Sequence, residues 1–315
     1  MRKLILVGDV HARSTSPLRR KDDFQKTHRQ KLAQVLALGN KYEAPLLLTG
    51  DVFDAKSLTL ATLIDYLMIF ASYKHGIYAA PGNHDLYGTS LASVERSPIG
   101  VLTAAGVVKL LGHIPTQIYD DVLACGHSYM HDGKPAPVPG FHNVLVTHEM
   151  ILEDKLWMEQ EAFTYVGDYL LKNRGWDLTL CGHYHYEFAR RVGDAWIVNP
   201  GALVRVKASK GDMALKPGVG LYDIEERTYE KIFIEAAPVE EVFTAALIQN
   251  PKIDNAEITK FVEEISVNEE AILHGDLSEV AMLVLRDAKP AQDVADTVRD
   301  LLALAEERKR NAVAR

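Results

Sequence analysis

Cysteine is scarce: the 315-residue chain has only Cys125 and Cys181. Two cysteines build neither a disulfide framework nor a four-cysteine zinc site. The expected setting is therefore a reducing compartment, the cytoplasm, or a host's cytoplasm if the source is viral. Both are read as small buried apolar residues. Long apolar runs are also missing. None reaches the roughly 18 residues needed to cross a bilayer, so no membrane partner is expected. The opening Met1-Arg2-Lys3-Leu4-Ile5-Leu6-Val7-Gly8 has the charge-then-apolar order of a signal peptide. Its apolar stretch is too short and meets Asp9 at once, so it reads as a buried strand. Positive charge is in deficit, with 35 basic against 43 acidic side chains and a formal charge of −8. That excludes a protein coated in basic charge but leaves room for one local basic groove. Repeats and low-complexity tracts are absent.

What is present is globular: 47% of the residues are hydrophobic and 25% charged. Apolar runs at residues 4–7, 45–49 and 77–80 alternate with helical spacing at 22–42 and 58–73. The second of these helices is expected to be mostly buried. Strands alternating with helices suggest a sheet with helices on its faces. After residue 106 short strand-like segments follow at 107–111, 117–119, 122–125, 143–147, 177–181, 187–192, 195–199 and 218–224. The expected fold is α/β, a sandwich of two sheets covered by helices. Residues 131–141 hold three prolines and two glycines and read as a mobile loop. Near residue 236 the composition shifts, glycine almost vanishes and helical spacing takes over. A boundary is placed there, giving 1–235 as the main domain and 236–315 as a small, mainly helical appendage. In the appendage, 259–265 and 293–310 read as helices and 283–287 as a strand.

The chain has twelve histidines, and they are not scattered evenly. Five separated segments place metal-binding side chains just after an apolar strand. They are Asp9-Val10-His11, Gly50-Asp51-Val52-Phe53-Asp54, Gly82-Asn83-His84-Asp85, Thr147-His148-Glu149 and Gly182-His183-Tyr184-His185. In layered α/β proteins ligands bind beyond the carboxyl ends of strands, so five strand ends can converge on one site. Each motif alone is weak, since an Asp-x-His or a Gly-Asp is more often a turn or a cap. Together they argue for metal. Imidazole mixed with carboxylate suits manganese, iron or zinc, whereas an all-oxygen set suits magnesium or calcium. Two metals need a bridging carboxylate, and Asp51 lies in the middle of the set.

In order and sequence these segments resemble the calcineurin-like metallophosphoesterase superfamily. The matching residues are Gly8-Asp9-Val10-His11, Gly50-Asp51, Gly82-Asn83-His84-Asp85, His148 and Gly182-His183-Tyr184-His185, over about residues 1–205. The resemblance implies a four-layered αββα core and two divalent cations, manganese first, with iron, zinc and magnesium as alternatives. It assigns Asp9, His11, Asp51 and His185 to one metal and Asp51, Asn83, His148 and His183 to the other. His84 is placed beside them as a catalytic group that stabilises the transition state or donates a proton. Asp85 is expected either to orient His84 or to cap the next helix.

Protein phosphatases of that superfamily carry Gly-Asp-x-Val-Asp-Arg-Gly and Gly-Asn-His-Glu. This chain has Gly-Asp-Val-Phe-Asp-Ala-Lys and Gly-Asn-His-Asp, which disfavours that branch. Residues 50–54, Asn199-Pro200-Gly201-Ala202-Leu203-Val204-Arg205 and Lys216-Pro217-Gly218-Val219 instead resemble the SbcD-type DNA repair nucleases. That resemblance implies DNA as substrate, cleaved by exonuclease or endonuclease action. It also implies an SbcC-type coiled-coil ATPase as partner, a homodimer, and a capping or partner-binding role for 236–315. A small-molecule or cyclic-nucleotide phosphodiesterase is the alternative, and a binding subunit without activity is a third. Helix 293–310 puts Val294, Val298, Leu301, Leu302 and Ala305 on one face, for core packing or for a partner. A DNA enzyme needs positive charge near its groove. Arg13, Arg19, Arg20 and Lys21 follow the first motif, and Arg190, Arg191, Arg205, Lys207 and Lys210 surround the last. These are candidate DNA contacts or a solvated face. His28, His75, His113, His142 and His274 read as surface or satisfied residues, and His131 ranks below His127 as a pocket residue. His127 is a weaker candidate for the pocket.

Overall fold

The computed structural model describes residues 1–244, apart from 18, 55–57, 88–89, 130–132, 154–162 and 208–209. The chain divides into two compact units, Met1–Val242 and Phe243–Arg315. The elements anticipated at 259–265, 283–287 and 293–310, together with His131 and His274, lie outside the described residues.

The first third alternates strand and helix: β1 (Lys3–Val7), α1 (Phe24–Tyr42), β2 (Leu46–Leu48), α2 (Leu60–Ala71), β3 (Ile77–Ala79), α3 (Pro98–Ala104) and β4 (Lys109–Leu110). Then follow β5 (Thr116–Tyr119), β6 (Val122–His127), β7 (His142–Thr147), the short pair β8 (Ile151–Leu152) and β9 (Thr164–Tyr165), and α4 (Val166–Lys172). The last set is β10 (Leu178–Cys181), β11 (Phe188–Val192), β12 (Ala195–Asn199), α5 (Lys210–Ala214), β13 (Gly218–Asp223), β14 (Thr228–Phe233) and α6 (Val239–Val242). One sheet runs β14-β13-β1-β2-β3-β4 and the other β11-β12-β10-β7-β6-β5. β1 to β4 are mutually parallel, as are β6, β7, β10 and β12. The antiparallel strands β13, β14, β11 and β5 flank them.

Strand periodicity builds the layers. Successive side chains point to opposite faces, so β1 divides its apolar run between two cores. Leu4 and Leu6 face inward with Leu47, Val144, Val146, Leu178, Leu180 and Val198, and fill the space between the sheets. Ile5 and Val7 face outward and pack with Leu32, Val35, Tyr66, Phe70, Ile99 and Leu102 of α1, α2 and α3. On the far side Leu145, Cys125, Cys181 and Ile197 pack against Val166 and Tyr169 of α4. The result is the four-layered αββα sandwich. Strands buried on both faces read as uninterrupted apolar runs, which is why β1, β2 and β7 stand out in the sequence.

Two expectations need correction, and one strand was unforeseen. Helix α2 is not mostly buried: Thr62, Tyr66 and Phe70 face the core, while Leu60, Ile64 and Met68 are 77%, 57% and 66% exposed. An outer-layer helix buries one stripe only, and residues four apart share a face. The strand expected at 107–111 shrinks to two residues, because the Val107 and Val108 amides both donate to Leu102 at the end of α3. The edge strand β14 was not anticipated, since its Thr-Tyr-Glu-Lys-Ile-Phe alternates charge with bulk and half its surface meets water. The proline-rich stretch is tied down at residues 138–141, where Asn143 accepts from the Val138 amide and donates to the Val138 and Phe141 carbonyls.

Gly8, between β1 and Asp9, shows how tightly the strand ends are packed. A Cβ there would lie 2.0 Å from the Gly201 carbonyl oxygen. Backbone cannot swing away as a side chain can, so Gly8→Ala is expected to cost about 3 kcal/mol or more. A thermal melt should show a drop of about 10 °C. An unchanged melt would mean that this contact relaxes freely.

Candidate metal centre

The five motifs meet at the carboxyl ends of parallel strands. β1 delivers Asp9 and His11, β2 delivers Asp51 and Asp54, β3 delivers Asn83 and His84, β7 delivers His148, and β10 delivers His183 and His185. The first two loops are zipped together. The Val10 and His11 amides donate to Asp51 O, Ala12 to Val52 O, and Asp54 to Ala12 O. This holds His11 and Asp51 at φ of 52° and 45°, while His183, at 68°, is held by its amide's bond to the Asp9 carboxylate. Such left-handed backbone costs about 1–3 kcal/mol per non-glycine residue and persists only where surrounding bonds enforce it.

Two groups of side chains converge. Asp9, His11 and His185 form one and Asp51, His148 and His183 the other, with the ligand atoms of each group within 4.8 Å of one another. In the first, the Nε2 atoms of His11 and His185 lie 2.9 Å apart, and His185 Nε2 is 3.6 Å from Asp9 Oδ2. In the second, His148 Nε2 is 3.3 Å from Asp51 Oδ2. Asn83 joins the second group: its Oδ1 lies 3.1 Å from His148 Nε2 and 2.9 Å from His183 Nδ1. All seven residues expected to hold metal are thus brought together.

The outer bonds aim the rings. His148 Nδ1 donates to Thr49 O at 2.9 Å, which turns Nε2 to the centre. His11 Nδ1 sits 3.1 Å from Asp54 Oδ1, which leaves its Nε2 pointing at His185. Thr49 Oγ1 and the His183 amide donate to Asp9 at 2.8 and 3.0 Å.

Electrostatics give an independent sign of cation affinity. Burial alone would push His11 and His148 down. The Asp54 hydrogen bond and the Asp51 and Asp9 charges instead lift His11 to about 9. Asp51, by charge and by hydrogen bond, and Asp9 lift His148 to about 10. Burial raises Asp51, but His148, His84 and His11 hold it well below the usual carboxylate range. Burial, then neighbouring His11, lowers His185 to about 4. The carboxylates therefore favour positive charge at this cluster, carried in the metal-free protein as protons on His11 and His148. The donor set and this field fit divalent transition metals.

Both histidines rise from 6.5 on folding, so their contribution to metal-free stability is complete below pH 6.5 and is lost as pH climbs through about 9–10. A cation replaces those protons. Manganese binding near neutral pH is therefore expected to release protons and to tighten as pH rises. Calorimetry in two buffers of different ionisation enthalpy reads this directly, and equal heats would contradict it.

His84 stands beside both groups and belongs to neither. Its Nδ1 donates to Asp54 O at 3.1 Å, its Nε2 is 4.0 Å from Asp51 Oδ2, and its side chain is 27% exposed. Asp85 takes neither role expected of it. It is buried and accepts from the amides of Gly82, Val52 and Phe53, so it stitches the second loop to the third. Burial and the Asp51 charge raise it to about 6.

The residue that sequence reasoning missed is Asp54. Its carboxylate reaches His11 Nδ1, lies 3.6 Å from His84 Nδ1, and pairs with Arg13 Nη1 at 2.8 Å. Its signal was the second acid of residues 50–54.

The candidate DNA contacts divide. Arg20 and Arg205 are buried. Arg20 donates to Arg205 O at 2.6 Å and pairs with Asp22, and Arg205 donates to Leu215 O and Ala237 O. These guanidiniums satisfy internal carbonyls and are withdrawn as DNA contacts. Arg190, Arg191 and Lys207 are exposed, Arg190 beside Glu153 and Arg191 beside Asp194. Arg13 and Arg19 are half-buried. His127 is buried 3.5 Å from both Thr147 Oγ1 and Glu149 Oε2, outside the two groups. Tyr129, also unforeseen, stacks on His183 with ring centroids 4.5 Å apart. His28 is a satisfied core residue: it bonds Val10 O and accepts from Tyr66, and burial lowers it to about 4.

The four-layered sandwich thus carries paired histidine–carboxylate groups at its strand ends, a donor set suited to divalent metal. The chain belongs to the calcineurin-like phosphoesterase family, whose profile matches residues 2–187. That family depends on two metals. No curated protein matches the chain. Among solved structures it is similar to TT1561 of Thermus thermophilus, at 12% identity over 74% of this chain and 99% of that one, with a TM-score of 0.49. It is similar to a novel archaeal phosphodiesterase at 16% identity over 74% and 99%, with a TM-score of 0.41. It is also similar to a 5′-nucleotidase precursor from Thermus thermophilus at 13% identity over 82% and 59%, with a TM-score of 0.43. No helix among the described residues is long and apolar enough to cross a membrane.

Proposed function

We propose that this phosphoesterase is a DNA nuclease that hydrolyses phosphodiester bonds with two divalent cations, manganese first. The observation that carries the hydrolytic reading is the pair of converging groups, with Asp51 raising the rings of both. Asp9, His11, Asp51 and His185 would hold one cation, and Asp51, Asn83, His148 and His183 the other. Bound there, two cations lower the pKa of water and neutralise charge developing on phosphoryl oxygens. The chain's own groups do the rest. His84, whose Nδ1 donates to Asp54 O, turns Nε2 toward the centre and, when both ring nitrogens are protonated, can donate to the phosphoryl or leaving oxygen. Arg13 neutralises Asp54 and adds positive charge at the rim.

The choice of DNA rests on residues 50–54 and 199–205, which resemble the SbcD-type nucleases, and on the exposed cations Arg190, Arg191 and Lys207. Phosphate contacts carry no base information, so cleavage would select structure rather than sequence. An SbcC-type ATPase partner and a homodimer follow from the same resemblance.

The test uses the whole chain with manganese on single- and double-stranded DNA, beside bis(p-nitrophenyl) phosphate and cyclic nucleotides. DNA cleavage that chelation abolishes is expected. Turnover of the small esters with DNA left intact would overturn the DNA reading. Turnover of nothing would overturn the hydrolytic one.

A further inference from the structure

Behind the first group runs a strap of backbone, residues 199–205, that leaves β12 and passes between the ligand loops and α1. Its amides point toward the site. Gly201 N donates to Asn199 Oδ1, whose Nδ2 donates to Tyr184 O. Ala202 N donates to His185 O and Leu203 N to Asp9 O, each at 2.9 Å. Its carbonyls point away, toward cations. Lys231 Nζ donates to Pro200 O, Lys31 Nζ reaches Leu203 O at 3.4 Å, and Arg20 donates to Arg205 O. Gly8 and Gly201 approach too closely for any side chain at Gly8, so the strap lies directly on the loop that carries Asp9.

Two of these cations are costly. Lys31 is 3% exposed, and burial, with Arg20 and Arg205 nearby, lowers it to about 7. Lys231 is also largely buried, and burial lowers it even though Glu187 lies 2.9 Å away. An ammonium is expensive to desolvate, and an apolar side chain would fill either place without that cost. What the lysines supply is a grip on carbonyls that no neighbouring strand takes.

We infer that Lys31 and Lys231 are positioning residues that clamp the strap against Asp9 and His185 and so set the affinity of the first metal group. The inference rests on the two-metal reading above. Among the described residues the strap makes no hydrogen bond to Asp51, Asn83 or His148. The second group meets the clamp only through the His183 amide, which donates to Asp9 at 3.0 Å, so the first group bears the larger effect. Groups that bond metal ligands typically control affinity by about 10- to 100-fold. Ala202 and Leu203 of the strap make such bonds to His185 and Asp9, and the lysines act through the strap.

The experiment titrates the full chain with manganese alone and counts bound metal, beside a melt of the metal-free protein. Lys231→Met and Lys31→Met are compared with Lys231→Arg, which keeps a donor. Lys3→Met is the control, since that lysine pairs with Asp223 at the other end of β1. Each methionine variant is expected to weaken one of two sites about 10- to 100-fold and the other less. Lys231→Arg and Lys3→Met should keep both. In a His183→Ala background, where the first group remains, Lys231→Met should still weaken binding. In a His185→Ala background the effect should be smaller. Two unchanged sites in both methionine variants would overturn the inference, as would equal weakening of both sites. A merely structural role would lower the melt without splitting the sites. A wild-type chain that binds no manganese would instead remove the two-metal reading, and the clamp with it.

Discussion

Asp51→Asn is expected to leave the chain folded, to cut its metal content from two ions to one at most, and to lower phosphodiester hydrolysis by about 10³-fold or more. The substitution is close to isosteric, and asparagine tolerates the left-handed backbone that Asp51 adopts at φ 45°. Its Oδ1 can still accept the His84 amide, which bonds Asp51 at 2.8 Å. What disappears is a buried charge. That charge acts on His11 and His148 alike, one from each group, so its loss weakens both. Elemental analysis after dialysis reads the metals, and bis(p-nitrophenyl) phosphate or DNA reads the chemistry. Two ions retained with activity within tenfold of wild type would show that Asp51 does not link the groups.

His84→Ala should behave in the opposite way, with both metals kept and kcat falling by about 10²- to 10⁴-fold, the usual range for a general acid or base. His84 packs edge-on to His11, with ring centroids 5.5 Å apart, yet belongs to neither group. Its removal leaves Asp51, His148 and Asn83 in place. KM should change far less than kcat, because in the proposed role the ring would act on the reacting phosphate rather than on distant parts of the substrate. Loss of metal with loss of activity would make His84 a ligand instead. Full activity would take it out of the mechanism.

Much of this site was legible in the sequence, for a physical reason. β1, β2, β7 and β10 are buried on both faces, so each is a continuous apolar run broken abruptly by the polar residues that follow. Metal chemistry also tolerates few residue types, so Asp9, His11, Asn83, His148, His183 and His185 stood out.

What was not legible depends on turns in space. Asp54 and Asp85 are both acids near His84, and adjacency favoured Asp85. The zipper between residues 10–12 and 51–54 decides otherwise, turning Asp54 to the rings while Asp85 caps three amides. Arg20 and Arg205 looked like a basic rim because they neighbour ligand loops in sequence. Only the tertiary fold shows that both guanidiniums turn inward to carbonyls. In α2 nearly every residue is apolar, so composition hid which stripe faces the core. The strap at residues 199–205 carries its message in backbone groups, which a side-chain reading does not see.

The proposed chemistry needs two cations held by the two groups. Crystals of the full chain soaked in manganese, measured at the manganese absorption edge, test that most directly. The expected result is two anomalous peaks roughly 3.5–4 Å apart. One would lie among Asp9, His11 and His185, the other among Asn83, His148 and His183, with Asp51 touching both. A single peak, or none within reach of Asp51, would contradict it.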